Sequence, residues 1–70
     1  MNKKNFVEFE LSKMLRACNT DVRCCTYDKD LNGEEIVTVH MTNSAKYCIN
    51  VTADSLICVV ADVVNVMKGK

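Results

Sequence analysis

The polar residues of this chain change their spacing three times, and each change limits the element the backbone can form next. Residues 5–19 carry apolar side chains at helical intervals, and residues 21–51 alternate in steps of two. Residues 53–68 are apolar apart from a helical stripe of Ser55, Cys58, Asp62 and Asn65. A period near 3.6 marks a helix with one buried stripe, and a period of two marks a strand with one buried face. Residues 1–70 therefore read as a single α+β domain in the order α-β-β-β-α. The expected elements are a helix over about 5–19, strands over about 21–29, 35–42 and 46–51, and a helix over about 53–68. Three strands so connected make an antiparallel meander, with both helices packed on one face.

Local signals set the expected boundaries. Asn5-Phe6-Val7-Glu8 fits a capping box with Asn5 as N-cap. Val7, Leu11, Met14, Leu15 and Cys18 then build one apolar face, and Lys13 and Arg16 complement the dipole near the helix C-terminus. Asn32-Gly33 predicts a two-residue type I′ hairpin turn. Folding there pairs Leu31 with Glu34, Tyr27 with Thr38, Cys25 with His40 and Cys24 with Met41. One face then carries Val22, Cys24, Val37, Val39 and Met41; the other carries Arg23, Cys25, Tyr27, Thr38, His40 and Thr42.

A three-residue loop, Asn43-Ser44-Ala45, aligns Met41 with Tyr47, Val39 with Ile49 and Val37 with Val51, and turns that third strand's apolar residues inward. A two-residue turn would invert them. The last segment is rich in valine, which favours strands. Its polar residues nevertheless recur every three or four positions, so helix wins. Thr52 is its expected N-cap and Asp54 sits in its first turn. Ile57, Ala61 and Val64 are expected to stay partly uncovered, where a homodimer seam would fit.

Size and composition exclude several function classes. A chain of 70 residues buries only about 60% of its unfolded surface, leaving a thin core. Nine basic residues balance nine acidic ones, so no overall charge draws the chain to nucleic acid or anionic membrane. The longest apolar run, Leu56–Ala61, is far short of the roughly 20 residues that cross a bilayer. Glu8 and Glu10 interrupt what a secretory signal would keep apolar, and the expected compartment is the cytoplasm. The five cysteines, Cys18, Cys24, Cys25, Cys48 and Cys58, are odd in number and lack CxxC spacing. They read as free thiols, three of them at core positions.

Candidate chemistry is sparse. Asp28-Lys29-Asp30-Leu31-Asn32-Gly33 imitates the start of a calcium loop, but loop position twelve is Val39 where a bidentate carboxylate is required. Cys25, His40 and Cys48 fall in one row across the expected wet face, too widely spaced to close a tetrahedral zinc site. No nucleophile with an orienting acid can be named, so no catalytic residue, metal or cofactor is assigned, and the expected class is non-enzymatic. The sharpest charge feature is the hairpin: Asp28, Asp30, Glu34 and Glu35, relieved only by Lys29. Clustered carboxylates on a projecting hairpin can imitate phosphates and occupy a basic groove on another protein. Arg23, Tyr27 and His40 on the exposed sheet face extend that partner-binding set, since arginine and aromatic residues serve both protein and base contacts.

The element order and length resemble the double-stranded RNA-binding domain. That family places a lysine cluster at the start of its last helix, where this chain has Thr52-Ala53-Asp54-Ser55. The layout of helix, meander with acidic hairpin and closing helix also resembles small phage and mobile-element proteins, among them type II-A anti-CRISPR inhibitors. That resemblance covers most of the chain as a layout, without a specific motif. It implies, by charge alone, that Asp28, Asp30, Glu34 and Glu35 dock on a nuclease or another nucleic-acid-binding protein. The leading expectation is thus a small non-enzymatic inhibitor or binding protein with a protein partner and no membrane. The alternatives are a direct nucleic-acid-binding module using Arg23, Tyr27, His40 and Lys46, and a homodimeric structural module.

Overall fold

The computed structural model describes residues 2–52 and 55–68, and in it the chain runs helix, three strands, helix. The first helix, α1, is α-helical over Lys3–Asn5, π-helical over Phe6–Leu11 and α-helical again over Ser12–Cys18. The strands are β1 (Val22–Lys29), β2 (Glu35–Met41) and β3 (Lys46–Asn50), paired antiparallel in the order β1-β2-β3. The closing helix, α2, spans Leu56–Met67. No helix among the described residues is long and apolar enough to cross a membrane.

Helix α1 starts earlier than the capping-box reading placed it. Asn2 is the N-cap, its Oδ1 accepting the Asn5 N–H at 2.8 Å, and Asn5 is already helical. The same amide chemistry was available three residues upstream and gained a turn of helix. Val7, Leu11 and Leu15 are buried as the apolar stripe predicts, whereas Met14 and Cys18 stay exposed. The π segment explains the difference. A π turn holds more residues than an α turn, so it rotates the later stripe and brings Ser12 inward instead.

Ser12 has work to do there. Its Oγ accepts the Cys25 N–H at 2.8 Å and faces the carbonyls of Val7 and Cys25 at 3.2 and 3.3 Å. One helical turn before it, Glu8 accepts the Tyr27 N–H at 3.3 Å. Cys25 and Tyr27 are alternate residues of an edge strand, whose outward N–H groups would otherwise be unpaired. Helix α1 thus closes the β1 edge with two side chains.

Both hairpins depart from the expected registers. In the first, Cys24 pairs with His40, Cys25 with Val39, Tyr27 with Val37 and Lys29 with Glu35. This is one residue away from the type I′ register, because the turn is a three-residue loop with positive φ only at Gly33. Asp30 N–H donates to the Glu34 carbonyl, and Gly33 N–H donates to the Asp30 carbonyl. That is a type I turn closed by a left-handed glycine. The slip carries Cys25 and Tyr27 to the core side and Cys24 to the wet side. A bulge between Val22 and Cys24 then restores Val22 to the core, opposite Met41. In the second hairpin Val39 pairs with Tyr47 and Val37 with Ile49, two residues from the expected alignment. An even slip keeps the same face inward, and Ile49 and Val51 are buried as expected.

The core gathers Val7, Leu11, Leu15, Val22, Cys25, Val37, Val39, Met41, Ile49, Val51, Val59, Val63 and Met67. Of the five free cysteines only Cys25 is buried, which corrects the expectation of three. Helix α2 is capped by Ser55, whose Oγ accepts the Cys58 N–H at 3.3 Å, and not by Thr52. Thr52 instead accepts the Glu35 N–H at 2.9 Å. The expected first-turn position of Asp54 lies outside the described residues. Ile57, Ala61 and Val64 are exposed, as their spacing predicts.

Candidate functional site

The first hairpin closes one end of the β1–β2 ladder, and its turn is held by its own side chain. Asp30 Oδ1 accepts the N–H groups of Asn32 and Glu34, each at 2.9 Å. Asp and Asn stabilise turns by such bonds to backbone two residues on. The resulting loop presents Leu31 fully exposed, with Asp28, Asp30 and Glu34 also exposed around it. The tip therefore combines one apolar side chain with exposed carboxylates on a turn fixed by its own hydrogen bonds.

Glu35 does not belong to that exposed set. It pairs with Lys3 Nζ at 2.9 Å and accepts a hydrogen bond from the Tyr27 hydroxyl. Only 18% of the Lys3 side chain and 12% of the Glu35 side chain is exposed. Burial and the adjacent Glu35 carboxylate push the Tyr27 phenol up from 10.0 to about 12. Lys3 also reaches the Val51 carbonyl at 3.4 Å, so this cluster ties α1, β1, β2 and the end of β3 together. Glu35 and Tyr27 brace the hairpin from within, a correction to their expected role as exposed partner contacts. Sequence gave no sign of this, since Lys3 lies 32 residues from Glu35.

The wet sheet face is also rearranged. Cys24, Thr26 and Asp28 lie across from His40, Thr38 and Ile36, which in turn face Lys46, Cys48 and Asn50. His40 stays on this face as expected, with Nε2 at 2.9 Å from Thr26 Oγ1. Its Nδ1 is enclosed without a hydrogen-bond partner among the described residues. Tyr27 has turned to the core side, and Thr42 has moved into the second turn. No Phe, Tyr or Trp is left on the face where base stacking was expected. The row of Cys25, His40 and Cys48 is broken too, because Cys25 now pairs with Val39 and is 2% exposed. Burial pushes its thiol up to about 11. Among the described residues no group of three His, Cys, Asp or Glu side chains is placed to hold a metal ion.

Arg23, left unpaired by the bulge, lines a cleft at the opposite end of the ladder with Lys13 and Arg16 of α1. The two ends of β1 are separated by seven residue steps, about 23 Å at strand spacing. Asp28, Asp30 and Glu34, with Lys29 among them, stand at one end of β1, and Lys13, Arg16 and Arg23 gather at the other. The sequence signal for the cationic end, Lys13 and Arg16 one turn apart, also fits a simple helix-dipole role. Comparison with family models, with curated proteins and with solved structures finds no match to this chain.

Proposed function

We propose that this protein is a small non-enzymatic binding protein that docks its acidic hairpin end on a nucleic-acid-handling protein. The observation that carries the reading is the hairpin tip: a fully exposed Leu31 surrounded by Asp28, Asp30 and Glu34 on a turn already locked by Asp30. Preorganisation lowers the entropy cost of association. The carboxylates steer the tip toward a basic groove, and the leucine supplies apolar area once it arrives. A phage- or mobile-element-encoded inhibitor of the anti-CRISPR type would act in this way, stoichiometrically and without turnover.

The test titrates the protein against a purified type II-A RNA-guided nuclease, reading plasmid cleavage and co-migration on size exclusion. Leu31→Ser and Glu34→Lys are expected to weaken association about tenfold or more, since a central anchor carries much of an interface's affinity. Association that survives both substitutions would remove the tip as the contact. Absence of association would remove this partner class.

A second reading rests on α2. Ile57 is 82% exposed, and Val64, two turns on, is also exposed, as a seam between two copies would require. Sedimentation would then show a dimer that Ile57→Asp or Val64→Asp dissociates; a monomer at all concentrations eliminates it.

A further inference from the structure

We propose that the cleft between the C-terminal half of α1 and the start of β1 binds the phosphate backbone of a nucleic acid. The inference is independent of the hairpin reading, because it concerns the other end of the β1–β2 ladder. The cleft has a volume of about 630 Å³ and is lined by Lys13, Arg16, Ala17, Thr20, Arg23 and Thr42, over a floor of buried Val22. Three cations thus converge from two elements. None of them is ion-paired with a carboxylate among the described residues. The nearest acidic residues in sequence, Glu10 and Asp21, do not line the cleft.

Three like charges held together without a counter-charge repel one another, and an anion seated among them relieves that repulsion. The arrangement is built by two specific features. Lys13 and Arg16 lie one helical turn apart on the same flank of α1. Arg23 joins them at a bulge, a device that re-aims side chains at functional sites. Thr20 and Thr42 add hydroxyl donors at the rim.

The ligand class follows from what the cleft offers and lacks. Arginine, lysine and threonine contact phosphate oxygens, whereas the lining has no aromatic ring to stack a base and no Asn or Gln to read one. The cations are exposed and the cleft is open, which suits a polyanion touching several side chains at once better than a single enclosed phosphate. Binding is therefore directed mainly to the phosphate backbone.

Fluorescence anisotropy with short labelled single- and double-stranded oligonucleotides tests the proposal. Contact with three phosphates should lower affinity about 20- to 40-fold between about 50 and about 200 mM salt. Arg16→Ala/Arg23→Ala should weaken low-salt binding by about tenfold or more and flatten the salt dependence, while Arg16→Lys/Arg23→Lys keeps most of it. Both arginines are exposed, so circular dichroism melts should match the parent's. Asp28→Asn/Glu34→Gln, at the far end, should leave nucleic-acid binding intact, which separates this outcome from that of the hairpin. No binding at low salt, or binding untouched by the double alanine variant, would overturn the proposal. Inorganic phosphate displacing the probe better than chloride at equal ionic strength would overturn the backbone assignment in favour of free phosphate.

Discussion

The two hairpins of this sheet are built on one hydrogen-bond frame with different residues at its critical position. In each, the first residue's N–H donates to the fifth residue's carbonyl at 2.9 Å, and the fourth residue's N–H returns to the first carbonyl at 3.1 Å. Asp30 to Glu34 and Met41 to Ala45 occupy the same five places. The fourth place needs positive φ; Gly33 takes it at 83° and Ser44 at 72°. Glycine adopts that conformation without steric cost, and serine does not. The fifth N–H is satisfied in both loops, by the Asp30 side chain in one and by the Asn43 side chain in the other. One frame can therefore be reached from two sequences, and only the loop written with Asn-Gly announces itself.

The hairpins differ more in what stands behind them. The first is braced by Glu35, Lys3, Tyr27 and Thr52, whereas the second turns beside the cationic cleft, with Thr42 N–H donating to the Asp21 carbonyl at 2.8 Å. Removing the brace should break the comparison most. Glu35→Ala strands a largely buried ammonium and a phenol hydroxyl, and should cost about 2–3 kcal/mol in urea unfolding. A loss under about 0.5 kcal/mol would show that the cluster holds nothing.

The same brace carries a pH signature. Tyr27, raised from 10.0 to about 12, favours the folded state fully below pH 10 and loses that contribution as pH rises toward 12. Cys25, raised from 9.0 to about 11, acts in the same direction over a slightly lower window. Stability should therefore be flat to about pH 9 and then fall, and Tyr27→Phe should remove the upper part of that fall. An unchanged alkaline profile in the phenylalanine variant would contradict the assignment.

Smaller effects sharpen the turn chemistry itself. Gly33→Ala should cost about 1–2 kcal/mol through backbone strain alone, because a Cβ there meets nothing within 4 Å. Ser44→Gly should run the other way and gain about 0.5–1 kcal/mol, the relieved strain being partly offset by the unfolded chain's added freedom. If both substitutions destabilise equally, the two loops do not share a frame in solution.

Much of the architecture was legible in the alternation of apolar and polar residues. The inward faces of β2 and β3 were readable from Val37, Val39, Met41, Ile49 and Val51, since burial parity survives a slip by two. Helix α2 was readable because Ser55, Cys58 and Asn65 repeat on one exposed flank while Val59, Val63 and Met67 repeat on the buried one. Strand β1 was not, because Val22 and Cys25 are both buried at a spacing of three, which only a bulge permits. On the hairpin Asp28, Asp30 and Glu34 are exposed as the alternation suggested, Tyr27 and Glu35 are instead half-buried against each other, and the exposure of Leu31 had gone unread. Arg23 kept its exposure but changed its company.

By itself the sequence determined the kinds of elements, their order and the burial of most of them, because helix and strand periods are local and each apolar stripe must be covered. Only the tertiary structure decided the first hairpin's register, the bulge at Arg23, the withdrawal of Glu35 to Lys3 and the meeting of Lys13, Arg16 and Arg23. Competing turns at Asn32-Gly33 differ little in local energy. Packing against α1, through Ser12 on Cys25 and Glu8 on Tyr27, selects the one in which the edge strand's donors are satisfied.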